Sequence, residues 1–199
     1  MDLTTTTRVG TLVNPGETAP AAFTTLLGQI ITGVSEAAGR YLGREVQSTS
    51  RTVYLDVEDG QRVFRLAAFP VTTVTSISYD PEQAFGAETA LTSDDYYNPT
   101  LGTNGVLKVK TTFFPLGGFA PSALKVVYTG GMATTTANFI SAYPDVSYAI
   151  DLQCSHVWHT RNFVGTVSSS GDAGSISLQA VDWLPEVKAV LDRYRVRAI

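Results

Sequence analysis

The chain has 199 residues, of which 44% are hydrophobic and only 16% charged, with a net charge of −4 and a single cysteine. That length suits one domain, or one core with an insertion, and is ample for a buried apolar core. The acidic balance excludes a global basic field for nucleic acid, Cys154 alone excludes an intramolecular disulfide, and no run approaches the ~18 apolar residues of a membrane span.

The charge missing from the composition is replaced by Thr, Ser, Gly and Ala, as in Thr4 to Thr7, Thr72 to Ser78 and Thr134 to Thr136. A hydroxyl-rich surface of low charge loses little solvation when another subunit covers it. Residues 1–19 read as a flexible, Thr-rich arm. Met1 to Val13 lacks a charged segment followed by an apolar run, so no signal peptide is expected.

Between Pro20 and Gly43 the apolar positions Phe23, Leu26, Leu27, Ile30, Ile31, Val34, Ala37, Ala38, Tyr41 and Leu42 step by three, four and one. This is one helical stripe, with Pro20 suited to the first turn and Gly43 to the stop. Glu36 and Arg40 have the spacing of an i,i+4 pair.

The period then changes. Val53, Leu55 and Val57 alternate with polar residues, Asp59-Gly60 offers a hairpin turn, and Arg62 to Ala67 reads as the returning strand. Val71 to Tyr79, rich in β-branched residues, Gly105 to Thr111 and Ala123 to Tyr128 complete five short strands. They predict a small antiparallel β-module over 46–132, inserted into a helical core of 20–45 and 143–199. The expected class is α+β.

Helical spacing resumes at Pro144. Val146, Ala149, Ile150, Gln153, Cys154, Val157 and Trp158 share one side at ~100° per residue. Tyr148, Leu152, His156, His159 and Phe163 fall on roughly the other, and a helix apolar on two sides must be covered on both. These five are therefore candidates for a subunit interface. Residues 165–180 read as a mobile loop by composition, and a last helix runs from Pro185 to about Arg195. Arg193, Arg195 and Arg197 close the chain, where positive charge suits a helix C-terminus.

Catalytic and metal chemistry does not assemble. Cys154 and His156 would lie ~200° apart on a helix, and His156 with His159 lacks a third ligand. Ser155-His156 forms no triad, there is no G-x-S-x-G elbow, and Asp56, Glu58 and Asp59 lack the distal glutamate of a calcium loop. Gly117-Gly118 and Gly130-Gly131 lack the spacing and lysine of a phosphate loop. No catalytic residue, metal or cofactor is expected, and the chain does not read as an enzyme.

In order, the motifs are Ala38-Gly39-Arg40-Tyr41-Leu42-Gly43-Arg44 at a helix end, then Phe69-Pro70-Val71-Thr72-Thr73-Val74, then Val126-Val127-Tyr128-Thr129-Gly130-Gly131. A helix from Pro144 to Arg161 ends in His159-Thr160-Arg161, and Leu184-Pro185-Glu186-Val187 with Leu191 and Tyr194-Arg195 follows. This arrangement resembles the head-tail connector (adaptor) family of long-tailed bacteriophages over about residues 20–197. It departs from the family in its Thr-rich lead-in and its longer β-region.

The resemblance implies a structural virion protein of the neck, made in the bacterial host cytoplasm. It implies a homo-oligomeric ring, usually dodecameric, between the portal protein and the next neck or tail protein, with double-stranded DNA passing unread through the lumen. Tyr194, Arg195, Val196, Arg197 and Ile199 are then candidates for the portal contact. Head completion or tail termination is a neighbouring role. A different class of reading is a β-rich module for carbohydrate or a host surface on an oligomerising helical stalk, resting on the Asp94-Asp95-Tyr96-Tyr97 loop and Phe113-Phe114.

Overall fold

The computed structural model describes residues 1–14, 21–97, 104–110, 118–161, 168–171, 174–177 and 183–196. The fold is α+β and divides into two compact units, Met1–Gly43 with Thr135–Ile199, and Arg44–Thr134.

The first unit is helical. Among its described residues it holds α1 (Thr6–Val13), α2 (Ala21–Leu42), α3 (Thr136–Ala142), α4 (Pro144–Thr160) and α5 (Pro185–Tyr194), with a hairpin of β7 (Ser168–Gly171) and β8 (Gly174–Ser177) between the last two. α2 buries Leu27, Ile31, Ser35, Ala38 and Leu42, a stripe at steps of four and three. Gly43, at φ +63°, ends it in a conformation that suits glycine. α4 begins with Pro144 at its first turn and packs against α1, α2, α3 and α5. α5 buries Val187 and Leu191, and the side-chain oxygen of Gln153 on α4 accepts the Leu184 backbone N–H (3.0 Å) at the start of that helix.

Two expectations are corrected here. The Thr-rich start is a packed segment rather than an arm. Thr5 caps α1 by accepting the Arg8 N–H, and Leu3 and Val9 are fully buried. Hydroxyl-rich composition masked a helix whose anchors are few and whose partners lie far along the chain. Within 165–180, residues 168–171 and 174–177 pair as an antiparallel hairpin, Ser168 opposite Ser177 and Gly171 opposite Gly174. Backbone pairing does not need the side chains whose absence suggested a loop.

Among its described residues the second unit contains two three-stranded antiparallel sheets. In one, the central strand β6 (Ala120–Gly130) lies between β1 (Thr49–Val57) and β3 (Val71–Tyr79). In the other, β5 (Val106–Val109) lies between β2 (Val63–Arg65) and β4 (Tyr96–Tyr97). The hairpin expected at Asp59-Gly60 does not form. Gly60 (φ +70°) does turn the chain, but β1 pairs with β6, placing Val53 opposite Val126, whereas β2 pairs with β5. A nine-residue strand finds more partners along β6 than along the three-residue β2, so the turn switches sheets instead of closing a ladder.

Both sheets feed one core, including Val57, Phe64, Leu66, Ile77, Leu107 and Tyr128. Tyr128 is fully buried, and its hydroxyl oxygen accepts the Ala68 N–H (3.2 Å). Tyr128→Phe leaves that N–H unpaired in the core and is expected to cost about 1–2 kcal/mol. Urea unfolding of the intact chain measures it, and an unchanged midpoint would show the bond to be dispensable. At the far end of β3, the Asp80 carboxylate accepts N–H groups from Phe85 (2.7 Å) and Glu82 (2.9 Å). The Phe85 bond above all holds that carboxyl below the usual range. It also fastens a turn in which Gln83 (φ 61°) and Phe85 (φ 48°) sit in the left-handed region.

Candidate assembly surface

Helix α4 is buried on one side and open on the other. Val146, Ala149, Ile150, Gln153, Cys154 and Trp158 face the interior of the helical unit. Tyr148, 53% exposed, and the exposed His159 stand outward, with Leu152 and His156 half-buried between them. Steps of four, four and three bring these four onto a single stripe that carries no Asp, Glu, Lys or Arg. Phe163 lies outside the described residues. A stripe of aromatic, aliphatic and imidazole groups has hydrocarbon to bury and few ions to desolvate, which is the composition of an interface centre.

The C-terminal candidates sit differently. The Tyr194 hydroxyl donates to both Asp145 carboxylate oxygens (3.0 and 3.2 Å), and its ring meets Tyr143 edge-on at 5.7 Å. Burial first, then the bond to Asp145, pushes its pKa up. Arg195 lies over the Tyr41 ring (5.0 Å), whose hydroxyl donates to Asp192 (2.6 Å), and the Val196 N–H donates to the Leu42 carbonyl (2.9 Å). Thus Tyr194, Arg195 and Val196 are engaged within their own unit, with only the Arg195 side chain well exposed. Arg197 and Ile199 lie outside the described residues.

The remaining chemistry is structural. Burial, reinforced by Asp151 and Asp2, pushes the Cys154 thiol up to about 12, so it stays protonated and unreactive. Among the described residues no group of three or more His, Cys, Asp or Glu is placed to hold a metal ion. On the β-unit, Asp95 spends its carboxylate on its own turn, accepting the Thr92 N–H and hydroxyl at 2.7 Å each. Tyr96 packs on the core, whereas Tyr97 is exposed beneath the Lys110 ammonium. Phe113 and Phe114 lie outside the described residues.

What sequence reading missed is a buried ion pair. Asp151 is 2% exposed, and its carboxylate accepts the Thr4 hydroxyl and the Arg8 guanidinium, Nε at 3.0 Å and Nη2 at 2.7 Å. The available signal was a lone acid flanked by Ala149, Ile150 and Leu152, which demands a cation from elsewhere.

No family model and no curated protein matches this chain. Solved structures do. A chain in the neck of an empty gene transfer agent particle, computed with C6 symmetry, superposes with a TM-score of 0.61 at 17% identity, covering 98% of this chain and 90% of that one. A chain from the virion of the native gene transfer agent particle gives the same values. One from the neck of the native particle, computed with C12 symmetry, gives 0.53 at 18% identity, covering 87% and 84%. At such identities the likeness establishes a common fold.

Proposed function

We propose that this chain is a structural neck protein of a phage-like particle, a head-tail adaptor whose copies close into a ring between the portal and the next neck or tail protein. The observation that carries the reading is a fold shared over 98% of the chain with a subunit of a symmetric neck. The outward stripe of α4 supports it, because cyclic closure covers such a patch on every copy and leaves none exposed. DNA passes through the lumen of the ring and is not read. With the chain engaged on its own unit up to Val196, the portal contact falls to the exposed Arg195 and residues 197–199.

Electron microscopy of the purified chain, alone and mixed with portal, tests this reading. Rings of six- or twelve-fold symmetry are expected in at least the mixed sample. A chain that remains monomeric and unattached in both samples would refute it.

A further inference from the structure

Residues 1–13 are held to the helical unit by a different chemistry from the one that joins its long helices. Where α2, α4 and α5 are buried, they carry Leu27, Ile31, Val146, Ile150 and Leu191, all at 0–1% exposure. The N-terminal segment fully buries two large apolar side chains, Leu3 and Val9, and is otherwise fastened through polar atoms. Thr4 and Arg8 hold Asp151, the Leu3 N–H donates to the Ser35 hydroxyl (3.0 Å), and the Thr136 hydroxyl donates to the Asp2 carbonyl (2.8 Å). On α4, Ser147 lies one turn before Asp151 on the same side, fully buried, and its hydroxyl has no partner.

Apart from Leu3 and Val9 the seam is polar, and its polar contacts separate at little net cost. Water replaces each hydrogen bond when the segment lifts, and Arg8 already shows 36% of its side chain to solvent. The net worth of a buried ion pair over its solvated parts is small, because desolvation offsets the attraction. α1 has eight residues, too few to persist as an isolated helix, so the lifted segment has no competing structure to retain.

We propose that residues 1–13 are a detachable strap, locked by Asp151, that opens from the helical unit without unfolding it. The lock has a built-in asymmetry. Loss of Arg8 leaves the buried carboxylate with the Thr4 hydroxyl but no cation, which favours lifting of the strap to hydrate it. If the segment were instead an inseparable part of the core, the same loss would strain the entire unit.

Amide hydrogen exchange on the whole protein distinguishes the two. In the unmodified chain, amides of residues 1–13 are expected to exchange at least ~100-fold faster than those of Val146 to Trp158. In Arg8→Ala the strap should lose roughly a further 10-fold of protection, while Val146 to Trp158 change by less than about 3-fold. Equal protection of the two segments in the unmodified chain overturns the proposal. So does parallel loss in Arg8→Ala, or failure of that variant to fold. The experiment uses the single chain and is independent of whether rings form.

Discussion

Gly131→Ala is expected to destabilise the β-unit by more than about 3 kcal/mol, placing it among the most damaging single substitutions in the chain. Gly131 has φ +136°, a backbone conformation that L side chains rarely adopt. An added Cβ would lie 2.5 Å from the Gln47 carbonyl oxygen and 2.6 Å from both the Cα and N of Ser48, all main-chain atoms that no rotamer change can move aside. The crowding has a cause. Gly131 donates its N–H to the Pro70 carbonyl (3.0 Å), and just beyond it Met132 and Ala133 donate to the Val46 carbonyl at 3.0 and 3.1 Å. The entry to β1, the start of β3 and the end of β6 thus converge on one residue. Gly130 is constrained for a separate reason, since its Cβ would fall 2.2 Å from the Ala68 carbonyl oxygen. Urea unfolding followed by circular dichroism measures the effect. A Gly131→Ala chain within ~1 kcal/mol of the parent would mean that the three segments do not close as tightly as described.

This glycine pair also marks where sequence reading reaches its limit. The strand over Ala123 to Tyr128 was legible, but not the convergence just beyond it at Gly130-Gly131, because the segments joined to it there are 60 or more residues away in the chain. The same division runs through the fold. α2, α4 and α5 follow from steps of three and four apolar residues, and Gly43 marks the end of α2. Strand positions follow from alternation, yet Asp59-Gly60 suggested a local hairpin where β1 and β2 in fact enter different sheets. Pairing depends on which distant strand matches in length and face, a quantity absent from any local window.

The candidate surface divides likewise. The outward stripe of Tyr148, Leu152, His156 and His159 is a property of one helix and its period. The engagement of Tyr194 with Asp145, and of Thr4 and Arg8 with Asp151, is a property of two segments at a time.

Tyr148→Glu is expected to abolish ring assembly while leaving the stability of the single copy within about 0.5 kcal/mol of the parent. The two halves of this expectation rest on one fact, the 53% exposure of a large aromatic side chain on the outward stripe of α4. In the isolated copy the ring contributes little packing, so its loss is tolerated. In the proposed ring it is covered, and a buried aromatic anchor at an interface centre is typically worth ~2 kcal/mol or more, about 30-fold in affinity. Placing a carboxylate there adds the cost of burying an unpaired charge. A closed ring multiplies the penalty, because every subunit presents the altered stripe and every junction suffers it. Light scattering coupled to size-exclusion chromatography should therefore show a single-copy species for Tyr148→Glu under conditions where the parent forms rings, with matching thermal unfolding of the two proteins. If Tyr148→Glu assembles as the parent does, the contact between copies lies on another face, and the stripe on α4 has some other occupant.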